Sequence, residues 1–277
     1  MTLAQRNWFF KAGIFLSSCC VFLLLALTGK LLPLLPEYCE AAISRPEGIF
    51  LYFAEGSFNS VPLIPFITLF TAVFYTLFVS IAVFVSFEKT QTSEILFFGL
   101  FALSFMFEIL RILIPLKGLY EFSPVVLIVG TRILIFARLF GSLSLFTSGI
   151  YAAGLDMQMQ GRVIIGIIIA ILMISFKLPV NGFSWDTSFT MLFAYSSMLR
   201  LAENVLIVIT GISFLIADYN RGTAEYRFVA LGSLLVFLGR SLPLRADTWL
   251  TPIPAVVMLI AGTWLITARL RQVYLWL

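Results

Sequence analysis

The chain contains no histidine, and only 12% of its 277 residues are charged. Because imidazole is the commonest ligand of zinc and haem iron and the usual general base, its absence excludes most metal and acid–base chemistry. It also excludes Ser-His-Asp and Cys-His catalysis. The three cysteines, Cys19, Cys20 and Cys39, lack the spacing of metal ligands. We therefore expect a protein that is not an enzyme and that uses neither a metal nor a cofactor.

The chain is rich in apolar residues. Hydrophobic residues make up 61% of it and the mean hydropathy is +1.04, whereas about a quarter of the residues in soluble domains are charged. The apolar runs are continuous over about 18 to 25 residues, which is typical of helices that cross a membrane. The sequence predicts an all-α polytopic membrane protein with the lipid bilayer as its solvent.

Eight apolar segments are long enough to cross a hydrocarbon core of about 30 Å at about 1.5 Å per residue. Their approximate bounds are 10–30, 63–87, 94–115, 124–155, 162–180, 188–217, 227–243 and 251–270. We expect residues 1–277 to form a single integral membrane domain. Residues 31–62 are too few to fold independently and are predicted to be a short extracytoplasmic or interfacial segment.

Every second apolar segment ends in the same way, with a basic residue, a proline and an aromatic residue. The basic residues and prolines are Lys30 and Pro33, Arg111 and Pro115, Lys177 and Pro179, and Arg240 and Pro243. These are ordinary boundary markers of membrane helices. With an even number of spans both termini lie on one side, and the distribution of Lys and Arg predicts an inner membrane protein with both termini cytoplasmic. The net charge of +4 is dispersed over the segment ends, so we expect no nucleic acid partner.

A possible internal repeat relates the fourth and sixth segments. Ser148 and Thr210, each followed by Gly-Ile, lie eight residues before Asp156 and Asp218, and an arginine lies eighteen residues before each aspartate. This alignment favours a helical hairpin that is repeated along the chain. The alternative is that these small residues only allow close packing of helices.

Ionisable residues inside apolar segments are the candidate functional residues, because an unpaired charge in a membrane costs about 2.5–3.5 kcal/mol. Four form the candidate site: Glu108, Arg138, Arg200 and Glu203. With Glu94 and Asp218 taken as loop residues, the two glutamates lie about 21–23 Å and the two arginines about 27 Å across the membrane. They are predicted either to line a cavity that binds a small anion, a zwitterion or a lipid headgroup, or to clamp helices together without a ligand.

The segments at 78–89 and 96–108, joined by a short polar turn, resemble the hairpins of seven-helix sensory membrane regions in bacterial signalling receptors. The last segment, leading into residues 268–274, is similar to the exit helix of those regions. The resemblance covers residues 63–274 and implies a sensory function. We expect neither a sensor domain before the hairpins nor a kinase or cyclase domain after them, so the resemblance implies output through a partner protein.

Two hypotheses follow from the sequence. The first is a non-enzymatic sensory or accessory membrane subunit, with protein partner subunits or a homo-oligomeric assembly, whose outer polar cluster binds a ligand. The second is a small-solute transporter, or a membrane subunit of a transport complex, since transporters often combine internal repeats with polar groups inside the membrane.

Overall fold

The computed structural model describes residues 3–31, 63–88, 90, 92–117, 120, 123–155, 159–185, 189–245 and 252–275. Eight long helices lie within these ranges: α1 Leu3–Leu31, α2 Leu63–Phe87, α3 Ser93–Lys117, α4 Pro124–Ala153, α5 Gln160–Lys177, α6 Ser196–Arg221, α7 Glu225–Ser241 and α8 Pro252–Leu275. The protein is therefore an all-α polytopic membrane protein, as predicted. Apart from Leu31, which ends α1, the predicted segment 31–62 lies outside the described residues.

Seven of these helices are long and apolar enough to cross a membrane, and α7, with 17 residues, is the exception. At about 1.5 Å per residue α7 is about 25 Å long. It packs closely along α8, because a Cβ atom on Gly262 would lie 2.7 Å from the carbonyl oxygen of Gly232. The segment predicted at 227–243 is thus a helix of the bundle, although it is shorter than its neighbours.

The start of α1 and the end of α8 lie at the same end of the bundle. The Arg6 guanidinium donates hydrogen bonds to the carbonyls of Phe87 (2.7 Å) and Glu88 (3.1 Å), where α2 ends. The Tyr274 hydroxyl, near the end of α8, bonds to the carboxylate of Glu94, in the first turn of α3. We call this end of the bundle the terminal face and the opposite end the distal face.

Helix α3 is the most buried helix. Every residue from Ser93 to Ser104 is buried. The backbone then tightens into a 3₁₀ stretch over Phe105–Ile112 before a last α-helical turn over Leu113–Lys117. Because α3 is enclosed by other helices, its two glutamates are held inside the protein.

Between α5 and α6 the prediction of helix from residue 188 is wrong for the described residues before Ser196. Strand β1, Val180–Trp185, pairs antiparallel with β2, Met191–Phe193. The Ala194 N–H donates to the carbonyl of Pro179 (3.0 Å), so this backbone is already used in an extended pairing. Tyr195 then adopts a φ of 63°, which an α-helix does not allow, and α6 begins at the next residue.

Helix α4 is continuous from Pro124 to Ala153, including at Gly130. Proline in the first turn suits a helix start because its missing N–H would have no helical partner there. The Ser123 side chain accepts a hydrogen bond from the N–H of Val125 (3.4 Å). Gly130 serves packing, since a Cβ atom there would lie 2.8 Å from the Leu113 side chain.

Candidate functional site

Two charged clusters lie along α3, one at its first turn and the other in its 3₁₀ stretch. Glu94 and Glu108 are fourteen residues apart, which corresponds to about 22 Å along a helix with a 3₁₀ stretch. Their residues are 1% and 5% exposed. Side chains of α7 reach both glutamates with the same spacing of fourteen residues, since Tyr226 contacts Glu94 and Arg240 lines a cavity with Glu108. Helices α3 and α7 therefore both connect the two clusters.

The first cluster, here the distal cluster, consists of Glu108, Arg111, Arg138 and Arg240. Arg138 of α4 donates from Nε to Oε1 of Glu108 and from Nη2 to Oε2, both at 2.8 Å. A bidentate, charge-assisted pair of this kind is among the strongest contacts between an arginine and a carboxylate. Arg111 lies one turn along α3, with Nη1 3.7 Å from Oε2 of Glu108.

Arg240 enters this cluster from α7 and is only 6% exposed. Its guanidinium lies over the rings of Phe101 and Phe105, with Cζ 5.4 and 5.0 Å from the centroids. Gly141 of α4 makes room for it, because a Cβ atom there would lie 2.5 Å from Nη1 of Arg240. Both Nη1 and Nη2 are buried without a hydrogen-bond partner among the described residues. The aromatic rings attract the charge but do not satisfy its donors.

A cavity of about 10 Å³ lies beside these groups. Its walls come from α2, α3, α7, α8 and the turn after α7, and its lining residues are Thr68, Thr71, Ala72, Phe105, Glu108, Arg111, Arg240, Pro243 and Leu259. A volume of about 10–15 Å³ is the smallest that holds one water molecule. The guanidinium groups of Arg111 and Arg240 and the carboxylate of Glu108 thus line a space for one small ligand.

The structure brings together two of the four candidate residues, Glu108 and Arg138, as a pair across α3 and α4. Glu203 is half-buried on α6 and attracts Arg240 electrostatically. Arg200 is exposed, and its Nε donates to the carbonyl of Ser196 (3.3 Å). The distal cluster therefore contains Glu108 and Arg138, has Glu203 within electrostatic reach, and does not contain Arg200.

The sequence prediction did not include Arg240 or Arg111 in the candidate site. Both residues precede a proline at the end of an apolar segment, and so they were interpreted as boundary markers. The neighbouring Gly239 could have indicated that this part of the segment packs closely against another helix. A Cβ atom on Gly239 would lie 3.0 Å from the carbonyl oxygen of Ala255 on α8. This close approach of the two backbones carries the next residue, Arg240, into the bundle.

The second cluster, the terminal cluster, consists of Glu94, Arg221, Tyr226 and Tyr274. Arg221 Nη2 lies 3.2 Å from Oε1 of Glu94, and the Tyr226 hydroxyl donates to the same oxygen (3.4 Å). The Tyr274 hydroxyl donates to Oε2. The interpretation of Glu94 as a loop residue is therefore wrong: it is a buried carboxylate that joins α3, α6, α7 and α8.

The Ser148-Gly149 and Thr210-Gly211 pairs lie where α4 and α6 cross. A Cβ atom on Gly149 would lie 3.0 Å from Cβ of Ser213 and 3.3 Å from the carbonyl oxygen of Thr210. Ser148 donates to the carbonyl of Glu94 (2.8 Å). These small residues allow close packing of helices, and the internal repeat stays a prediction.

The fold and the two clusters define the class of the protein, a polytopic helical membrane protein with charged groups buried between its helices. Comparison with protein-family models, curated proteins and solved structures found no significant match.

Proposed function

We propose that the chain is a non-enzymatic membrane subunit, sensory or accessory, whose distal cluster binds a small anion. One observation carries this proposal: both terminal nitrogens of the buried Arg240 guanidinium lack a hydrogen-bond partner in the described part of the chain, beside a cavity that Glu108 also lines. A buried polar group without a partner is costly, and a buried charge is more so.

The charges of the cluster favour an anion as the ligand. Among the described residues, Arg111 and Arg138 lie around the carboxylate of Glu108, and Arg240 lines the cavity with it. Glu203 on α6 also attracts Arg240. An anion in the cavity would accept hydrogen bonds from the two terminal nitrogens of Arg240, which lack a partner in the described part of the chain.

The size of the cavity narrows the choice among the predicted ligands. A space of about 10 Å³ admits one water-sized particle. This supports a small inorganic anion over a zwitterion or a lipid headgroup, and chloride, which is somewhat larger than water, serves as the probe. With both termini in the cytoplasm of an inner membrane protein, the cluster would lie towards the outer leaflet.

Binding is tested with radioactive chloride on the purified protein in detergent. We expect saturable binding by the unaltered chain and its loss in Arg240→Gln, because the amide has no positive charge. Arg200→Gln removes a charge from an exposed position and is the matched control, with binding unchanged. Absence of saturable binding in the unaltered chain, or equal binding by both variants, would overturn the proposal.

The sensory or accessory function requires partner subunits or a homo-oligomeric assembly. We propose that the output passes through a protein docked on the cytoplasmic side. Chemical crosslinking in native membranes, followed by purification in mild detergent, is expected to retain that partner. Recovery of the chain alone, stable and monomeric, would count against this part of the proposal.

One observation favours the alternative of a small-solute transporter. The eight-residue 3₁₀ stretch Phe105–Ile112 contains Glu108, whereas such stretches rarely exceed about three to four residues. Irregular helices at charged sites are typical of transporters. Chloride flux into proteoliposomes that Glu108→Gln abolishes would establish transport, whereas chloride binding without flux would favour the sensory or accessory function.

A further inference from the structure

A cavity of about 760 Å³ lies at the terminal face, among α6, α7, α8 and the turn between α6 and α7. It is lined by Arg221, Thr223, Ala224, Glu225, Arg269, Gln272 and Val273. Its volume falls within the range of about 300–1,000 Å³ that is usual for sites of small organic ligands. Because the terminal cluster lies at the first turn of α3 and the distal cluster in its 3₁₀ stretch, this cavity is independent of the proposed chloride site.

The first basic group of this cavity, Arg221, is fixed by hydrogen bonds to groups inside the protein. Its Nη2 is paired with the buried carboxylate of Glu94 at 3.2 Å, and its Nη1 donates to the Tyr226 hydroxyl at 2.8 Å. Nη2 also donates to the carbonyl of Tyr151 (3.3 Å). A guanidinium fixed in this way loses little conformational entropy when it binds a ligand.

The second basic group, Arg269, comes from α8 and keeps donors free. Its Nη1 donates to Oε2 of Glu225 (3.0 Å) and to Oε1 of Gln272 (3.1 Å). Its Cζ lies 4.4 Å from the centroid of the Phe228 ring, which orients the plane of the guanidinium. Within the described ranges Nη1 alone makes hydrogen bonds, so Nε and Nη2 remain for a ligand. A guanidinium with two adjacent free N–H groups matches two oxygens of a phosphate.

The remaining polar groups of the cavity also suit an anion. The Thr223 hydroxyl is buried without a hydrogen-bond partner in the part of the chain that the structure describes. Helix α7, 17 residues long, begins at the cavity, and no side chain caps its first turn. The start of a helix carries a partial positive charge that attracts phosphate groups. Two guanidinium groups, a hydroxyl and a helix start thus line the cavity with the Glu225 carboxylate, while Glu94 pairs with Arg221 from inside the protein.

We propose that this cavity binds a phosphate-bearing ligand between Arg221 and Arg269. The cavity lies where the membrane-crossing helices α6 and α8 end, at the level where lipid headgroups are found. The same chemistry is presented by a phospholipid headgroup and by a water-soluble phosphate compound. The experiment therefore uses one probe of each source.

The test is calorimetric titration of the purified full chain in detergent. One probe is inorganic phosphate, compared with chloride at equal ionic strength, and the other is a short-chain phosphatidylglycerol below its micelle concentration. We expect saturable binding that Arg269→Gln weakens at least about tenfold, because a charge-assisted hydrogen bond is lost. Arg271→Gln is the matched control: it removes the same charge two residues away, from an exposed residue that lines a different pocket.

The two probes separate the sources of the ligand. Binding of both supports a water-soluble phosphate compound, and binding of the lipid alone supports a headgroup. Saturation by neither probe, or equal weakening by the two arginine variants, would overturn the proposal. If Arg269→Gln does not fold, Thr223→Val repeats the test with the change of one hydroxyl to a methyl group. Arg240→Gln is expected to bind both probes normally, so failure of the chloride site would leave this result unaffected.

Discussion

Replacing Glu108 by glutamine tests whether the distal cluster holds the helices together. The carboxylate accepts two hydrogen bonds of 2.8 Å from Arg138 and lies 3.7 Å from Arg111. Removing one partner of a buried ion pair costs about 3–5 kcal/mol. Because the glutamine oxygen still accepts one hydrogen bond, we expect the free energy of unfolding to fall by about 3 kcal/mol.

The assay is reversible unfolding in mixed micelles with increasing SDS, followed by far-ultraviolet circular dichroism. The control Arg200→Gln changes an exposed charge and is expected to cost less than about 0.5 kcal/mol. The double variant Glu108→Gln/Arg138→Gln removes both charges of the pair. It should cost less than the sum of the two single changes, by at least about 1.5 kcal/mol. A Glu108→Gln variant as stable as the control, or a coupling energy near zero, would refute the reasoning.

Two further predictions concern stability in the same unfolding assay. Gly141→Ala introduces a Cβ atom against Oγ of Ser104 and 2.5 Å from Nη1 of Arg240 and should lower the free energy of unfolding by about 1–3 kcal/mol. Its control, Gly161→Ala, meets nothing within 4 Å and should be neutral or slightly stabilising; equal effects would contradict the close packing at Gly141. Tyr274→Phe removes a hydroxyl that donates to the buried Glu94 and should cost about 1–2 kcal/mol. Tyr219→Phe, at a residue 88% exposed, should cost nothing measurable, and a similar loss in both would argue against the terminal cluster.

The candidate site shows how far depth along a helix can be predicted. Arg138 and Arg200 have the same predicted depth, yet Arg138 pairs with Glu108 whereas Arg200 is exposed. Depth follows from counting residues at a constant rise per residue. Counting residues does not show which face of a helix is buried. Lipid and protein interior are both apolar, so a helix between them has no amphipathic stripe in its sequence.

The terminal cluster was harder to predict for a related reason. Glu94, Arg221 and Tyr274 each lie near the end of an apolar segment, where charged and aromatic residues usually face water or headgroups. Only the packing of four helices around the first turn of α3 turns Glu94 into a buried carboxylate. The strands β1 and β2 are likewise a pairing between separate segments, which local apolar composition does not report.

The sequence by itself determined the class of fold and the approximate positions of its helices, apart from the start of α6. Each helix satisfies its own backbone hydrogen bonds. In a hydrocarbon core, where water cannot satisfy them, this local requirement favours a helix for each continuous apolar segment. Only the tertiary structure decided that Arg240 reaches a cavity beside Glu108 and that Arg221 and Arg269 face a common cavity. Those relations depend on helix rotation and on close approaches at glycines such as Gly141, which are properties of packed pairs of helices rather than of any one segment.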